Sequence, residues 1–231
     1  MVLLPGAYDK PEDFVRNGFI SALRERHIAA DVIVPDTHFG YYSAGVVENR
    51  LHRDIILPAR QKNYSQIWLA GISLGGYGSM LYAQQHGELV DGVFLMAPFL
   101  GNRSLIAEIA EAGGVQAWQP GRIEAKDADD PRWFEDKDYD RRFWSWLKSY
   151  QARRIENAKH LQIRLGYGTE DRFASSNRLL GTLLPADHVK TVPGGHEWGP
   201  WKALWTDFLD RSNFPKCNDA LFVESTMSKQ P

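Results

Sequence analysis

The chain has 231 residues, of which 43% are hydrophobic and 24% charged, an ordinary globular composition that excludes a disordered chain. Lys plus Arg number 27 and Asp plus Glu 29, so the formal charge is −2, without the basic footprint of a nucleic-acid partner. No apolar run approaches the roughly 18 residues that span a bilayer, and the single cysteine, Cys217, can close no internal disulfide. At about 150 residues per domain the length fits one α/β domain with an insertion. The opening MVLLPG lacks the basic flank of a signal peptide, so a soluble, cytoplasmic protein is the expectation.

In chain order, six short segments read as strands: residues 1–5, 31–34, 67–72, 90–96, 161–165 and 189–192. Each is rich in Ile, Val and Leu and bounded by Gly, Pro or Asp, the pattern of buried parallel strands. Helical spacing lies between them. Residues 11–26 set Phe14, Phe19, Ile20 and Leu23 near one face. Residues 46–60 carry Val47, Leu51, Ile55 and Ile56, with Pro58 expected to end that helix. A small-residue helix follows over 75–86, and 201–211 places Leu204, Trp205, Phe208 and Leu209 on one stripe. Strands alternating with helices predict an open, doubly wound, mostly parallel α/β sheet of about six strands.

The rhythm breaks over residues 101–159, which hold no clear strand, a Gly-Gly at 113–114, the acidic run 127–131, and four of the eight tryptophans. A stretch this long inside an α/β domain reads as a helical cap insertion, with a peripheral helix pair packed on the sheet as the equal alternative. The α/β core is therefore expected over 1–212, and residues 213–231 are expected to form a C-terminal tail with a mobile end.

The chemistry-bearing motif is Gly71-Ile72-Ser73-Leu74-Gly75, a G-x-S-x-G pattern. Such a pattern recurs by chance, but here it leaves an apolar strand and enters a helix, the context that gives it meaning. A sharp turn of this kind raises the Ser73 hydroxyl above the carboxyl edge of the sheet, at a helix N-terminus that favours developing negative charge. The alternative is an ordinary glycine-rich βα turn. A serine hydroxyl needs a base, and the base needs an orienting group. Of seven histidines only His196, in Gly194-Gly195-His196, lies after a late strand and before the last helix. His27, His86 and His160 read as solvated, His188 sits at the wrong end of its strand, and His38 reads as part of a polar loop. The acid should follow the preceding strand, which ends in Gly168-Thr169-Glu170-Asp171. Asp171 is the choice and Glu170 the fallback, with a surface acidic turn as the bland reading.

At these residues the sequence resembles the α/β-hydrolase superfamily, and its small serine esterases in particular. The order Ser73, Asp171, His196 is that family's order, and Leu4-Pro5-Gly6-Ala7-Tyr8 occupies the place of its oxyanion loop, with proline where the family commonly has histidine. The resemblance implies backbone N–H donors at Leu74 and at Ala7 or Tyr8. It also implies a sheet lacking the family's first two strands, whose bare edge a homodimer or the cap would shield. The activity implied is hydrolysis of a small-molecule carboxylic ester through an acyl-enzyme. A thioesterase or other acyl hydrolase is the near rival, and a non-catalytic ligand-binding protein on the same fold the distant one. No metal constellation stands out, since Asp36/His38 and Glu48/His52 are isolated pairs, and no cofactor is implied. Tyr41 and Tyr42 could line an apolar pocket or simply pack, and Arg103, Arg132, Arg141 and Arg142 could favour an acidic substrate.

Overall fold

The computed structural model describes residues 1–121, 137–156 and 161–217. Among these, five strands make one parallel sheet: β1 (Val2–Leu4), β2 (Trp68–Ile72), β3 (Gly92–Met96), β4 (Gln162–Gly168) and β5 (Val189–Val192), neighbours in that order. Every residue of β1, β2 and β3 is buried, which is why they read as unbroken apolar runs rather than alternating ones. The helices begin with α1 (Pro11–Arg16), α2 (Phe19–Glu25), α3 (Phe39–Ser43), α4 (Val47–Leu51) and α5 (Leu57–Gln61). They continue with α6 (Leu74–His86), α7 (Arg103–Glu111), α8 (Lys137–Glu156), α9 (Ala174–Gly181) and α10 (Trp198–Arg211).

The pleat separates two faces. Trp68 and Phe94 point to one, where the Phe94 ring stacks on Phe208 of α10 at 4.2 Å and Trp68 lies 5.5 Å from the same ring. Beneath them Trp205 stacks on Phe19 of α2 at 5.4 Å and donates its indole N–H to the Phe19 carbonyl at 3.0 Å. Gly71 points to the other face, onto the first turn of α6. Helices on both faces make the sheet doubly wound, as expected from the alternation of elements.

The sequence-predicted strand over 31–34 is reduced to a single parallel bridge, Val2 with Ile33, so the sheet has five strands rather than six. Two hydrogen bonds form there, Leu3 N–H to the Ile33 carbonyl at 2.9 Å and Ile33 N–H to the Met1 carbonyl at 3.0 Å. Pro35 has no N–H to extend the ladder, and Ile33 is 44% exposed at the sheet edge. The bridge still fixes the winding. The chain passes outward from β1 to Ile33, then returns across β1 to β2, so the direction of winding reverses between β1 and β2. In open α/β sheets that reversal opens a crevice at the carboxyl ends of the strands, where ligands bind.

Two helices differ from their sequence patterns. Residues 11–26 break into α1 and α2 because Gly18 takes φ 79°, a left-handed turn that still leaves Phe14 and Phe19 fully buried, 5.1 Å apart. Residues 46–60 do not stop at Pro58, which sits in the first turn of α5. A π-helical turn over His52–Ile56 precedes it, and the wider hydrogen-bonding pattern absorbs the N–H that proline lacks.

Within 101–159, α7 and α8 pack as a pair on the α6 side of the sheet. Phe143, Trp144 and Leu147 of α8 are fully buried, Phe143 lies 5.6 Å from Tyr77 of α6, and Trp144 donates to the Leu100 carbonyl at 2.9 Å. Glu108 of α7 accepts the Trp118 indole N–H at 2.8 Å and forms a two-pronged ion pair with Arg141. These contacts hold the described parts of 101–159 against the core. Trp133, Arg132 and the acidic run 127–131 lie outside the described residues, as does His160. The tail begins by docking: Phe214 packs 5.7 Å from Trp68, and Cys217 N–H bonds the His27 carbonyl at 2.7 Å.

Candidate active site

Ser73 joins β2 to α6 with φ 51° and ψ −113°, backbone angles that a residue with a Cβ rarely holds and that cost about 1–3 kcal/mol. The turn is kept tight by glycine. A Cβ on Gly71 would strike the Gly75 backbone, and one on Gly75 would strike the Leu4 carbonyl of β1. The elbow is also tied to the end of β3, through Ser73 N–H to the Met96 carbonyl at 3.0 Å and Phe99 N–H to the Ser73 carbonyl at 3.0 Å. The serine is 6% exposed.

Asp171 and His196 come together at the carboxyl ends of β4 and β5. The histidine Nδ1 lies 2.8 Å from Asp171 Oδ2, and the aspartate side chain is fully buried. The other carboxylate oxygen, Oδ1, accepts the Phe173 N–H at 2.8 Å, which fixes the carboxyl plane. Two backbone bonds clamp the acid loop to the histidine loop: Thr169 N–H to the Val192 carbonyl at 2.8 Å and Glu170 N–H to the Gly194 carbonyl at 3.1 Å. Glu170 thus contributes its backbone while its side chain is exposed. The imidazole stands between two rings set edge-on, Phe173 and Trp201, each at 5.0 Å. Phe99, held by Ser73, lies 5.6 Å from Phe173, so a short aromatic chain connects the elbow to the imidazole. Among the described residues no hydrogen bond joins the Ser73 hydroxyl to His196, a link that often tightens only once substrate is bound.

A residue missed by the sequence reading lies near Ser73 and His196. The Asp9 carboxylate lies near the Gly6 N–H, the Trp198 side chain and His196. Burial, then the charge of Asp13, raise its pKa, against the pull of Gly6, His196 and Trp198. Nothing in the residue pattern marks Asp9, because its place depends on a turn that returns its N–H to the Gly6 carbonyl at 3.2 Å. Ala7 is half-buried and Tyr8 is 94% exposed.

Other sequence candidates are used elsewhere. Tyr42 is fully buried in the core, and half-buried Tyr41 rests 4.8 Å from His38, whose Nδ1 accepts the Gly40 N–H at 3.1 Å. Arg141 is engaged by Glu108. His86, expected to be solvated, is instead half-buried, bonded to Glu48 and stacked on His52 at 4.1 Å. Among the described residues no cluster of three or more metal-ligating side chains occurs, and no helix is long and apolar enough to cross a membrane.

The family model described as "Putative esterase" matches residues 54–210, more than half of the chain and including all three of Ser73, Asp171 and His196. The chain belongs to the Esterase family. This makes it an enzyme of the carboxylic ester hydrolase class. Solved structures place this esterase on the α/β-hydrolase fold. A ferulic acid esterase superposes with a TM-score of 0.58 at 16% identity, covering 90% of this chain and 82% of the other. An S-formylglutathione hydrolase from Staphylococcus aureus gives 0.55 at 16% identity, with 90% and 78% covered. One from Agrobacterium tumefaciens gives 0.57 at 13% identity, with 90% and 81% covered. No curated protein sequence matches the chain.

Proposed function

We propose that this esterase cleaves a small-molecule carboxylic ester through an acyl-enzyme, with Ser73 as nucleophile, His196 as general base and Asp171 as the acid that orients it. The observation that carries the reading is the 2.8 Å bond from Asp171 Oδ2 to His196 Nδ1. It requires the imidazole to hold its proton on Nδ1, leaving Nε2 free to take one from a serine. Attack by Ser73 Oγ on the ester carbonyl gives a tetrahedral oxyanion. His196 then passes the serine proton to the departing alcohol, and water repeats the sequence on the acyl-enzyme.

The oxyanion needs N–H donors with no other partner. Leu74 opens α6, and the first N–H groups of a helix have no partner within it. Gly6 N–H is turned toward the Asp9 carboxylate, which favours Ala7 over its neighbours as the second donor. Each such donor is worth about 3–4 kcal/mol in the transition state. The exposed thiol of Cys217 fits a reducing, cytoplasmic setting.

The test is hydrolysis of p-nitrophenyl esters from acetate to decanoate, and of matched thioesters, by the wild type and by Ser73→Ala. Turnover that disappears in Ser73→Ala, with unchanged thermal unfolding, is the expected result. Turnover retained by Ser73→Ala refutes the nucleophile. Serine-dependent cleavage of thioesters alone would move the substrate class but keep the machinery.

A further inference from the structure

We propose that Asp9 sets the charge preference of this site, favouring esters with a cationic group near the scissile carbonyl and disfavouring those with an anionic one. The inference rests on the reading of Ser73 as the nucleophile.

Its basis is where the carboxylate stands. A Cβ built on Gly6 would collide with Asp9 Oδ2 and lie 3.6 Å from the Ser73 Cβ, so Asp9 and the nucleophile face each other across the bare side of Gly6. The loop that carries it is closed by the Asp9 N–H to the Gly6 carbonyl at 3.2 Å, and the Trp198 side chain at the start of α10 lies on its other side. An ionised carboxylate can take about four hydrogen bonds, which leaves Asp9 capacity for an entering group. Asp9 is half-buried rather than sealed, so an entering molecule can reach it.

Its charge has little local compensation. Among the described residues, the charged or titratable groups that act on Asp9 are Asp13, of the same sign, and His196, which is cationic only when protonated, with no lysine or arginine. Yet the reaction builds a second negative charge, the oxyanion, beside the first. A cation on the substrate would offset both charges, whereas an anion would add a third. A unit charge about 6 Å from the carboxylate shifts binding roughly three-fold if fully screened by water, and roughly a hundred-fold at the effective dielectric of a protein surface site.

The experiment uses three phosphonate esters of p-nitrophenol, alike except for a two-carbon arm that ends in a neutral, a trimethylammonium or a carboxylate group. The rate at which each modifies Ser73 is followed by p-nitrophenol release and intact mass, for wild type, Asp9→Asn and Asp9→Ser. Ratios between reagents are compared within each protein, so any general loss of reactivity cancels. The expected order in the wild type is cationic, neutral, anionic, spanning at least ten-fold, with the ratios collapsing toward one in both variants. A wild type indifferent to charge, or a preference that persists in both variants, overturns the role of Asp9 while leaving the esterase reading intact. Failure of all three reagents to modify Ser73 overturns both.

Discussion

Replacing Asp171 by asparagine changes almost no atoms, yet it should nearly stop the reaction. The reason lies in the two partners of the carboxylate. Oδ1 accepts the Phe173 N–H at 2.8 Å and Oδ2 faces His196 Nδ1 at 2.8 Å. An asparagine must keep its carbonyl toward the Phe173 N–H, because the opposite orientation would set two donors against each other. Its amide NH2 then points at His196 Nδ1 and can be accommodated only if that nitrogen accepts. The imidazole proton moves to Nε2, where the base is needed, and the ring can no longer take the proton of Ser73. A tautomer fixed wrongly in this way costs about 10⁴-fold in kcat in a serine protease with the same arrangement, equivalent to about 5 kcal/mol of barrier. We expect a loss between about 10³- and 10⁴-fold here, carried by kcat with KM little changed. The fully buried site also loses a charge-assisted hydrogen bond, worth about 1.5–3 kcal/mol before the new contact is counted. At about 2–4 °C per kcal/mol for a domain of this size, the melting temperature should fall by several degrees without loss of cooperativity. Steady-state hydrolysis of p-nitrophenyl acetate, beside circular-dichroism melting, measures both effects. Activity within ten-fold of wild type in a folded Asp171→Asn protein would show that Asp171 does not set the tautomer, and the argument would fail.

Three further outcomes follow from the packing and the charges. Gly75→Ala places a methyl group against the Leu4 carbonyl, which is backbone and cannot rotate aside. It should destabilise the fold by about 3 kcal/mol, read by urea unfolding, and an unchanged midpoint would contradict the close approach of α6 to β1. Trp205→Phe keeps the ring stack on Phe19 but removes the second hydrogen bond to the Phe19 carbonyl, made by the indole at 3.0 Å, and empties part of a fully buried site. The expected loss is about 2–4 kcal/mol, and a loss under 1 kcal/mol would mean that water or another donor takes over. Glu108 has its pKa held below the usual 4.5, first by Arg141 and then by Trp118. A depressed folded-state value contributes stability above the unfolded pKa, and that contribution is lost as pH falls through the folded value. Melting temperature should therefore decline below about pH 4.5, and Glu108→Gln should flatten part of that decline; identical slopes would refute the contribution.

The strand-elbow-helix pattern at Ser73 could be read from the sequence because glycines enforce it locally, within five residues. The choice of Asp171 over Glu170 could be read from position alone, and the structure places the buried carboxylate, not the exposed one, on His196. Other features depend on contacts distant in sequence. Whether residues 31–34 make a strand depends on how far Pro35 lets the edge of β1 continue its ladder. The break at Gly18 is invisible to a hydrophobic stripe that runs through it unaltered. Pro58 looks like a helix terminator unless a π-helical turn precedes it, and no local residue type announces that turn. Asp9 is the most instructive case. Its neighbours Gly6 and Trp198 are 192 positions apart in sequence, so no local pattern could bring them to one carboxylate.

The three chemical groups are held by different means, and that difference decides which of them can move. Ser73 is fixed by backbone: a strained turn, a helix, and two hydrogen bonds to the end of β3. His196 is fixed mainly by side-chain contacts, with Asp171 on Nδ1 and Phe173 and Trp201 at its edges, on a loop whose Gly194 takes φ 109°. On the proposed roles, any adjustment that brings the two together would fall to the histidine, because moving Ser73 would disturb β2, β3 and α6 together. Phe173 joins the elements on both sides of the imidazole. It touches the imidazole on one side and Phe99 on the other, and its N–H holds Asp171. On the proposed roles, one residue therefore contacts the base, the carboxylate that orients it and, through Phe99, the elbow of the nucleophile, so Phe173→Ala should lower kcat more than it lowers stability.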